Sequence, residues 1–343
     1  VGTTDVTVCD LDLNLPRAVA HALSPAATPP KQTQPTSHPA EVQASCKARI
    51  STAETGLSYH DPVTDTRGNT LIGSDTLNST DGGWALVTGA CSGIGLELAR
   101  DLARRGYPLV LVSNREVELS AVAKQLATEH RVATQAIPFD LAQPDAAREL
   151  YEEVRRRGLE VDILVSNAGT FFFGEAVEAD PKRAEDMLTL HVVTPSLLVR
   201  WFGHDMRGRQ RGHVLFVSSI SAWRDFPGIA WYGSSKRYLR SFAASLREEL
   251  APWGVKVTCL APGAVATNLY SRTSVPVQKA VKYRVMSDPA RVAKAGVEGM
   301  LRGKAVVIPG LSAKVMAAFM VLMPRWLIHL LRTRAPFLSM PDK

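Results

Sequence analysis

From Trp84 onward the chain alternates between short, nearly continuous apolar runs and longer amphipathic stretches. That alternation constrains its fold more than any other feature. Strand-like runs occupy 84–88, 109–113, 132–137, 161–166, 213–218, 255–260 and 305–308. Helix-like stretches fill the intervals, one running from the first strand to about Arg105 and others covering roughly 116–129, 144–157, 181–206, 232–250 and 289–302. A strand that is apolar at every position is buried on both faces. Strands joined through helices run parallel, because the crossover returns the chain to the same edge. The pattern therefore predicts an α/β fold, a doubly wound parallel sheet of about seven strands in a single domain over 81–310. With 45% hydrophobic residues the chain can bury such a core.

The flanks differ from this core. Residues 1–80 are rich in Thr, Ser, Pro and Ala, with prolines at 25, 29, 30, 35 and 39, and lack apolar periodicity. They are expected to form a disordered or irregular extension. No basic, apolar leader opens the sequence. Beyond 311 the chain is apolar and basic: 315–323 reads VMAAFMVLM, and Pro324-Arg325 interrupts before Trp326–Leu331 resumes. A membrane span wants roughly 20 uninterrupted apolar residues, so 311–343 is expected to pack over the catalytic mouth or another subunit, or to lie at a membrane surface. Residues 279–343 carry twelve Lys/Arg and three Asp/Glu, so they hold more than the whole chain's net +7. An acidic membrane surface or an anionic substrate tail suits that charge. Nucleic acid does not, because no recognisable binding module accompanies it. Cysteines at 9, 46, 91 and 259 have neither disulfide-framework nor metal spacing. A reduced, cytoplasmic setting and no metal site are the expectation.

Thr88-Gly89-Ala90-Cys91-Ser92-Gly93-Ile94-Gly95 joins the first strand to the first helix. Glycines there allow a tight turn and close approach of backbone to a pyrophosphate, and the helix start presents free N–H groups to the anion. The second strand ends in Ser113-Asn114-Arg115 without a carboxylate. A carboxylate would accept from the ribose hydroxyls of NAD, whereas Arg115 suits a 2′-phosphate, so NADP is the expected cofactor and NAD the alternative. Asp140, after the third strand, is placed either to hold an adenine amine or to cap a turn.

Ser219, Tyr232 and Lys236 carry the chemistry. Tyr232 and Lys236 stand four apart at the start of a helix-like run and so share a face. An ammonium near a phenol favours the phenolate, making Tyr232 an acid for carbonyl reduction or a base for alcohol oxidation. Ser219 follows the strand at 213–218 and can donate to the substrate oxygen as negative charge builds there.

Over about 84–310 these features resemble the short-chain dehydrogenase/reductase family, with its Rossmann-type sheet. The resemblance rests on Thr88–Gly95, Asp140, Asn167-Ala168-Gly169, Ser218-Ser219, Tyr232-x-x-x-Lys236, and Pro262-Gly263 with Thr267. It implies that Gly89, Ser92, Gly93, Ile94, Gly95, Asp140 and Leu141 contact the cofactor. It further implies that Asn167, Ala168 and Gly169 line the adenosine side, and that Lys236 holds the nicotinamide ribose. Pro262, Gly263, Val265 and Thr267 would embrace the nicotinamide, and 268–289 would form a substrate lid. The family commonly carries Asn where this chain has His191, and the imidazole is either a proton-relay member or a packed helix residue. The rings of Phe171, Phe172, Phe173, Trp223, Phe226 and Trp231 suggest a hydrophobic ketone, steroid-like ligand or acyl chain, with about two or three of them facing substrate. The tail resembles the branch related to long-chain ketoacyl and hydroxysteroid reductases. The expected protein is a homodimer or homotetramer reducing a hydrophobic ketone or oxidising a secondary alcohol. The alternatives are an NAD-dependent secondary alcohol dehydrogenase and a non-enzymatic nucleotide-binding regulator.

Overall fold

The computed structural model describes residues 83–266, 286–324, 326–328 and 330. The N-terminal extension, Thr267 and most of the expected lid lie outside the described residues. Seven strands form one sheet: β1 (Trp84–Thr88), β2 (Leu109–Ser113), β3 (Thr134–Pro138), β4 (Val161–Ser166), β5 (Gly212–Val217), β6 (Val255–Leu260) and β7 (Val306–Val307). Their order is β3-β2-β1-β4-β5-β6-β7, and every pair is parallel. The helices are α1 (Gly93–Arg104), α2 (Glu116–His130), α3 (Ala146–Arg156), α4 (Pro181–Leu188), α5 (Thr194–Leu198), α6 (His204–Arg209), α7 (Ala230–Leu250), α8 (Pro289–Leu301) and α9 (Leu311–Leu322).

The sheet is apolar on both sides because each side carries a helix layer. Leu98 of α1, Leu119 of α2 and Val292 of α8 pack against Val87, Leu111 and Val165. On the other side Leu150 of α3, Leu198 of α5 and Leu239 of α7 pack against Leu86, Val110 and Leu164. Alternate residues of each strand thus feed opposite layers, as the strand pleat requires. This is the predicted doubly wound, Rossmann-like sheet.

Sequence order along the sheet reverses between β1 and β4. In such sheets a crevice opens at that switch point, above the carboxyl ends of the strands. Here those ends are Thr88, leading into the glycine turn, and Ser166, leading into Asn167-Ala168-Gly169.

One helix differs from its sequence-based expectation. The stretch over 181–209 is helical throughout, but π-helical turns at Thr189–Val193 and Val199–Gly203 join α4, α5 and α6. Asp180 starts it by accepting from the Arg183 N–H at 2.8 Å, with Pro181 in the first turn. The first π turn contains His191 and, by inserting a residue, re-aims it.

Candidate active site

A cavity of about 480 Å³ opens at the switch point. It gathers the glycine turn (Gly89, Ser92, Gly93, Ile94), the end of β2 (Ser113, Asn114, Arg115) and the residues after β3 (Asp140, Leu141). It is also lined by Asn167, Ala168 and Gly169, by His191, Ser219, Tyr232 and Lys236, and by Pro262, Gly263 and Val265. Among the expected site residues, Gly95 sits beneath the turn rather than on the cavity wall, and Thr267 lies outside the described residues. Phe139, Arg183, Leu190 and Val217 also line the cavity and were not among the expected residues.

The turn is built by close approach. Gly89 and Gly93 have φ of +66° and +59°. A Cβ on Gly95 would overlap the Gly89 carbonyl and the Asn167 side chain, so α1 can press onto β1 only with glycine there. Asn167 braces the same turn: its Nδ2 donates to the Thr88 carbonyl at 2.9 Å. The Thr88 hydroxyl accepts from the N–H groups of Asn167 and Ala168 and donates to the Val165 carbonyl. The first turn of helix α1, which the Ser92 side chain does not cap, therefore faces the cavity over the glycine turn.

Arg115 lies across this turn, its Nη2 donating to Ser92 Oγ at 2.9 Å. Ser113 Oγ accepts from the Arg115 N–H at 3.3 Å, which fixes the end of β2. Asp140 lines the cavity and also braces the turn after β3: its carboxylate accepts from the Ala142 N–H and from Gln143 Nε2.

Ser219 leaves β5 in extended conformation, and its Oγ accepts from the Ser221 N–H, capping a 3₁₀ turn at Ile220–Trp223. Tyr232 and Lys236 lie on the first turns of α7. Lys236 is 5% exposed, and its Nζ donates to the Val217 carbonyl at 3.1 Å. Burial lowers its pKa to about 8. The ammonium lies 5.7 Å from the centre of the Tyr232 ring. Phe171 meets that ring edge-on at 4.8 Å.

His191 is wholly buried beside this group, and its hydrogen bonds define its proton. Nε2 accepts from the Thr170 N–H at 3.0 Å. A backbone N–H can only donate, so the neutral ring carries its proton on Nδ1. Nδ1 then donates to Ser235 Oγ at 2.9 Å, and Ser235 donates onward to the Tyr232 carbonyl at 2.8 Å. Both nitrogens are engaged with protein. Burial, then the nearby Lys236 charge, holds the imidazole well below its ordinary pKa. A Cβ on Gly169 would stand 2.8 Å from Nε2, so the glycine lets the loop approach the ring.

Of the six aromatic residues singled out, Phe171 lines the cavity. Phe172 is buried beneath the Arg183 guanidinium, Trp223 stacks under Arg240, and Trp231 donates its indole N–H to the Ala176 carbonyl. Proximity in sequence to Ser219 and Tyr232 did not fix their direction.

Residues 83–276 match the sequence profile of the family described as short chain dehydrogenase. The chain belongs to the short-chain dehydrogenase family. A human relative, inactive hydroxysteroid dehydrogenase-like protein 1, is 34% identical over 195 residues, covering 55% of this chain and 57% of that protein. The chain spans about three fifths of the length of such relatives. A short-chain dehydrogenase from Sphingobium yanoikuyae in complex with NADPH is 27% identical, with a TM-score of 0.62 over 71% of this chain and 97% of that one. A bulky-bulky ketone specific alcohol dehydrogenase from Comamonas testosteroni is 25% identical, with a TM-score of 0.59 over 71% and 95% of the two chains.

Two expectations follow for this short-chain dehydrogenase. Below pH 8 both folded and unfolded chains carry the Lys236 charge, and the folded one buries it at a cost. Between about 8 and 10.5 only the unfolded chain stays protonated, so stability rises with pH. At pH 7 Lys236→Met should therefore resist urea better than wild type without cofactor, by up to about 3 kcal/mol, with the gap narrowing by pH 9. A variant no more stable than wild type at pH 7 would refute the cost. For His191, the unfolded chain takes up a proton first as pH falls, so its share of stability fades below about pH 6.5. Imidazole nitrogen NMR should find the Nδ1–H neutral form at pH 7, unchanged at pH 6. An Nε2–H form, or titration near the ordinary value, would contradict the hydrogen-bond assignment.

Proposed function

We infer that the chain is an NADP-dependent oxidoreductase that moves hydride between the nicotinamide and a hydrophobic ketone or secondary alcohol. The observation that carries this is the meeting, in one cavity, of the glycine turn with Ser219, Tyr232 and a buried Lys236.

The donor set fits a dinucleotide. Gly89, Ser92, Gly93 and Ile94 would hold the pyrophosphate against the start of α1, and Ser113, Asn114 and Arg115 the adenosine ribose. Asp140 and Leu141 would border the adenine, with Asn167, Ala168 and Gly169 along the adenosine side. Pro262, Gly263, Val265 and Thr267 would meet the nicotinamide. That group, when bound, supplies or accepts the hydride. In reduction Ser219 Oγ donates a hydrogen bond to the carbonyl oxygen, orienting it. Tyr232 gives its phenolic proton to the same oxygen as charge develops there. The Lys236 ammonium, charged below pH 8, stabilises the phenolate left behind and holds the nicotinamide ribose. His191, with both nitrogens engaged, acts as a positioning residue: through Ser235 it ties the loop at Thr170 to the Tyr232 backbone. Oxidation reverses each transfer.

The Phe171 wall and the ketone specificity of the Comamonas relative support an apolar substrate. Exposed Val193, Leu197 and Tyr238 on the helical stretch 181–209 and α7 support a homodimer or homotetramer through those helices. A second reading, a nucleotide-binding protein without turnover, is favoured by the human relative's designation as inactive. This chain retains Ser219, Tyr232 and Lys236, which supports the enzyme instead.

Tyr232→Phe should lower ketone-dependent NADPH oxidation by about 10²–10⁴-fold while NADPH binding stays within about twofold of wild type. Wild-type protein that binds NADPH tightly but turns over no member of a ketone and alcohol panel would favour the second reading. Arg115→Ala should weaken NADPH by about tenfold and NADH by less than about twofold, measured by fluorescence titration. Equal losses for both would remove the argument for NADP.

A further inference from the structure

Helix α9 has its apolar character on the wrong side for a helix facing water. Its inner face is made of small residues and one methionine: Ala313, Ala317 and Met320 are buried. The large side chains point the other way. Leu311 is 77% exposed, Val315 60%, Phe319 52% and Leu322 81%. On a helix of 3.6 residues per turn, 311, 315 and 322 fall opposite 313, 317 and 320, and 319 falls beside them. Met316 and Val321, which flank the buried face, are exposed as well, and Trp326, beyond the helix end, is 67% exposed. A soluble helix would bury these residues and expose polar ones, and a contiguous patch of this kind marks an interaction site.

The charge around the stripe selects the partner. The sequence over 299–343 contains seven Lys/Arg and one Asp/Glu, and of these Arg302, Lys304 and Lys314 are among the described residues. Lys314 is exposed on α9 itself, and Arg302 and Lys304 are exposed on the segment leading into β7. A second copy of the chain would bring two such basic segments face to face, which self-repulsion opposes. An anionic lipid leaflet meets both demands, an apolar phase for Leu311, Val315, Phe319 and Leu322 and negative headgroups for the flanking cations. Among the described residues no helix is long and apolar enough to cross a membrane, so the contact is lateral.

We propose that α9 is an interfacial membrane-docking helix that seats the protein on an anionic lipid surface through Leu311, Val315, Phe319 and Leu322. The helix is anchored to the catalytic body rather than hung from it. Arg224 Nη2 donates to the Met323 carbonyl at 2.6 Å. Ala313 lies within van der Waals reach of a Cβ on Gly263, a residue of the cavity wall. Docking would therefore bring the rim of the cavity to the edge of the lipid phase. The docking itself does not depend on the reaction proposed above.

Sedimentation of the full chain with vesicles tests this. Vesicles of phosphatidylcholine with about 30% phosphatidylserine should carry the protein down, and pure phosphatidylcholine should do so at least about fivefold less well. Raising NaCl from about 0.1 M to about 0.5 M should weaken the binding. The triple variant Val315→Ser, Phe319→Ser, Leu322→Ser changes only exposed positions, so its melting temperature and NADPH affinity should match wild type. Its partition onto anionic vesicles should drop at least about tenfold. Wild-type protein left in the supernatant with both lipids would overturn the proposal. So would a triple variant that sediments like wild type, or one whose oligomer dissociates in light scattering, since the face would then join two copies. Loss of NADPH turnover with vesicle binding intact would count against the reaction alone.

Discussion

An ammonium group buried under a sheet strand is the constraint on which the candidate site depends. Taking Lys236 out of water disfavours its charge, and the carbonyl of Val217 offsets only part of that cost. The fold supports the arrangement from several sides. Ser218 donates to the Lys236 carbonyl, fixing α7 against the end of β5. Cys259 of β6 lies close to Ser218 and Lys236, its thiol pushed up to about 11 by burial and so kept neutral. Stability is thereby exchanged for a cation held beside the Tyr232 ring, and the rest of α7 supplies the apolar stripe (Leu239, Ala243, Leu246, Leu250) that holds the helix in place.

The glycine turn and the group Ser219, Tyr232 and Lys236 are separate in sequence but meet because the sheet reverses its order between β1 and β4. Asn167 makes the link concrete. It leaves β4 and hydrogen-bonds the turn after β1, so the two halves of the crevice share one brace. Two residues on, Gly169 admits the His191 ring, and the Thr170 N–H fixes its tautomer. The path from the turn to the backbone of Tyr232 thus runs through Thr88, Asn167, Thr170, His191 and Ser235. Each hydrogen bond along the part containing His191 has one possible direction.

Much of this was legible in the sequence. The apolar runs at 109–113, 161–166 and 255–260 coincide with β2, β4 and β6 because strands buried on both faces are mostly Val, Leu and Ile, with Ser113, Asp162, Ser166 and Thr258 as buried polar exceptions. The i, i+4 spacing of Tyr232 and Lys236 by itself puts both on one helix face. What stayed hidden depends on direction and on backbone irregularity. Trp223 and Trp231 stand close to Ser219 and Tyr232 in the chain, yet their rings turn to Arg240 and the Ala176 carbonyl. The π turn at Thr189–Val193 leaves no compositional mark, since Thr, Leu, His and Val suit an ordinary helix equally. Without it the relation of His191 to Thr170 and Ser235 could not be foreseen. Arg183 and Leu190 reach the cavity from that same irregular helix.

The tail illustrates why hydrophobicity alone is a poor guide to burial. In 315–323 every residue is apolar, so the sequence does not say which side faces the protein. The structure resolves it by size: alanines at 313 and 317 let α9 come close to the 3₁₀ turn after Ser219, and the bulkier Val315, Phe319 and Leu322 are left outside. Reversing that choice would force Phe319 against the turn that carries Ser219. The outward apolar stripe is thus a packing consequence of seating a helix tightly beside the active cavity. The same steric choice that protects the geometry of Ser219 leaves a surface that water does not favour.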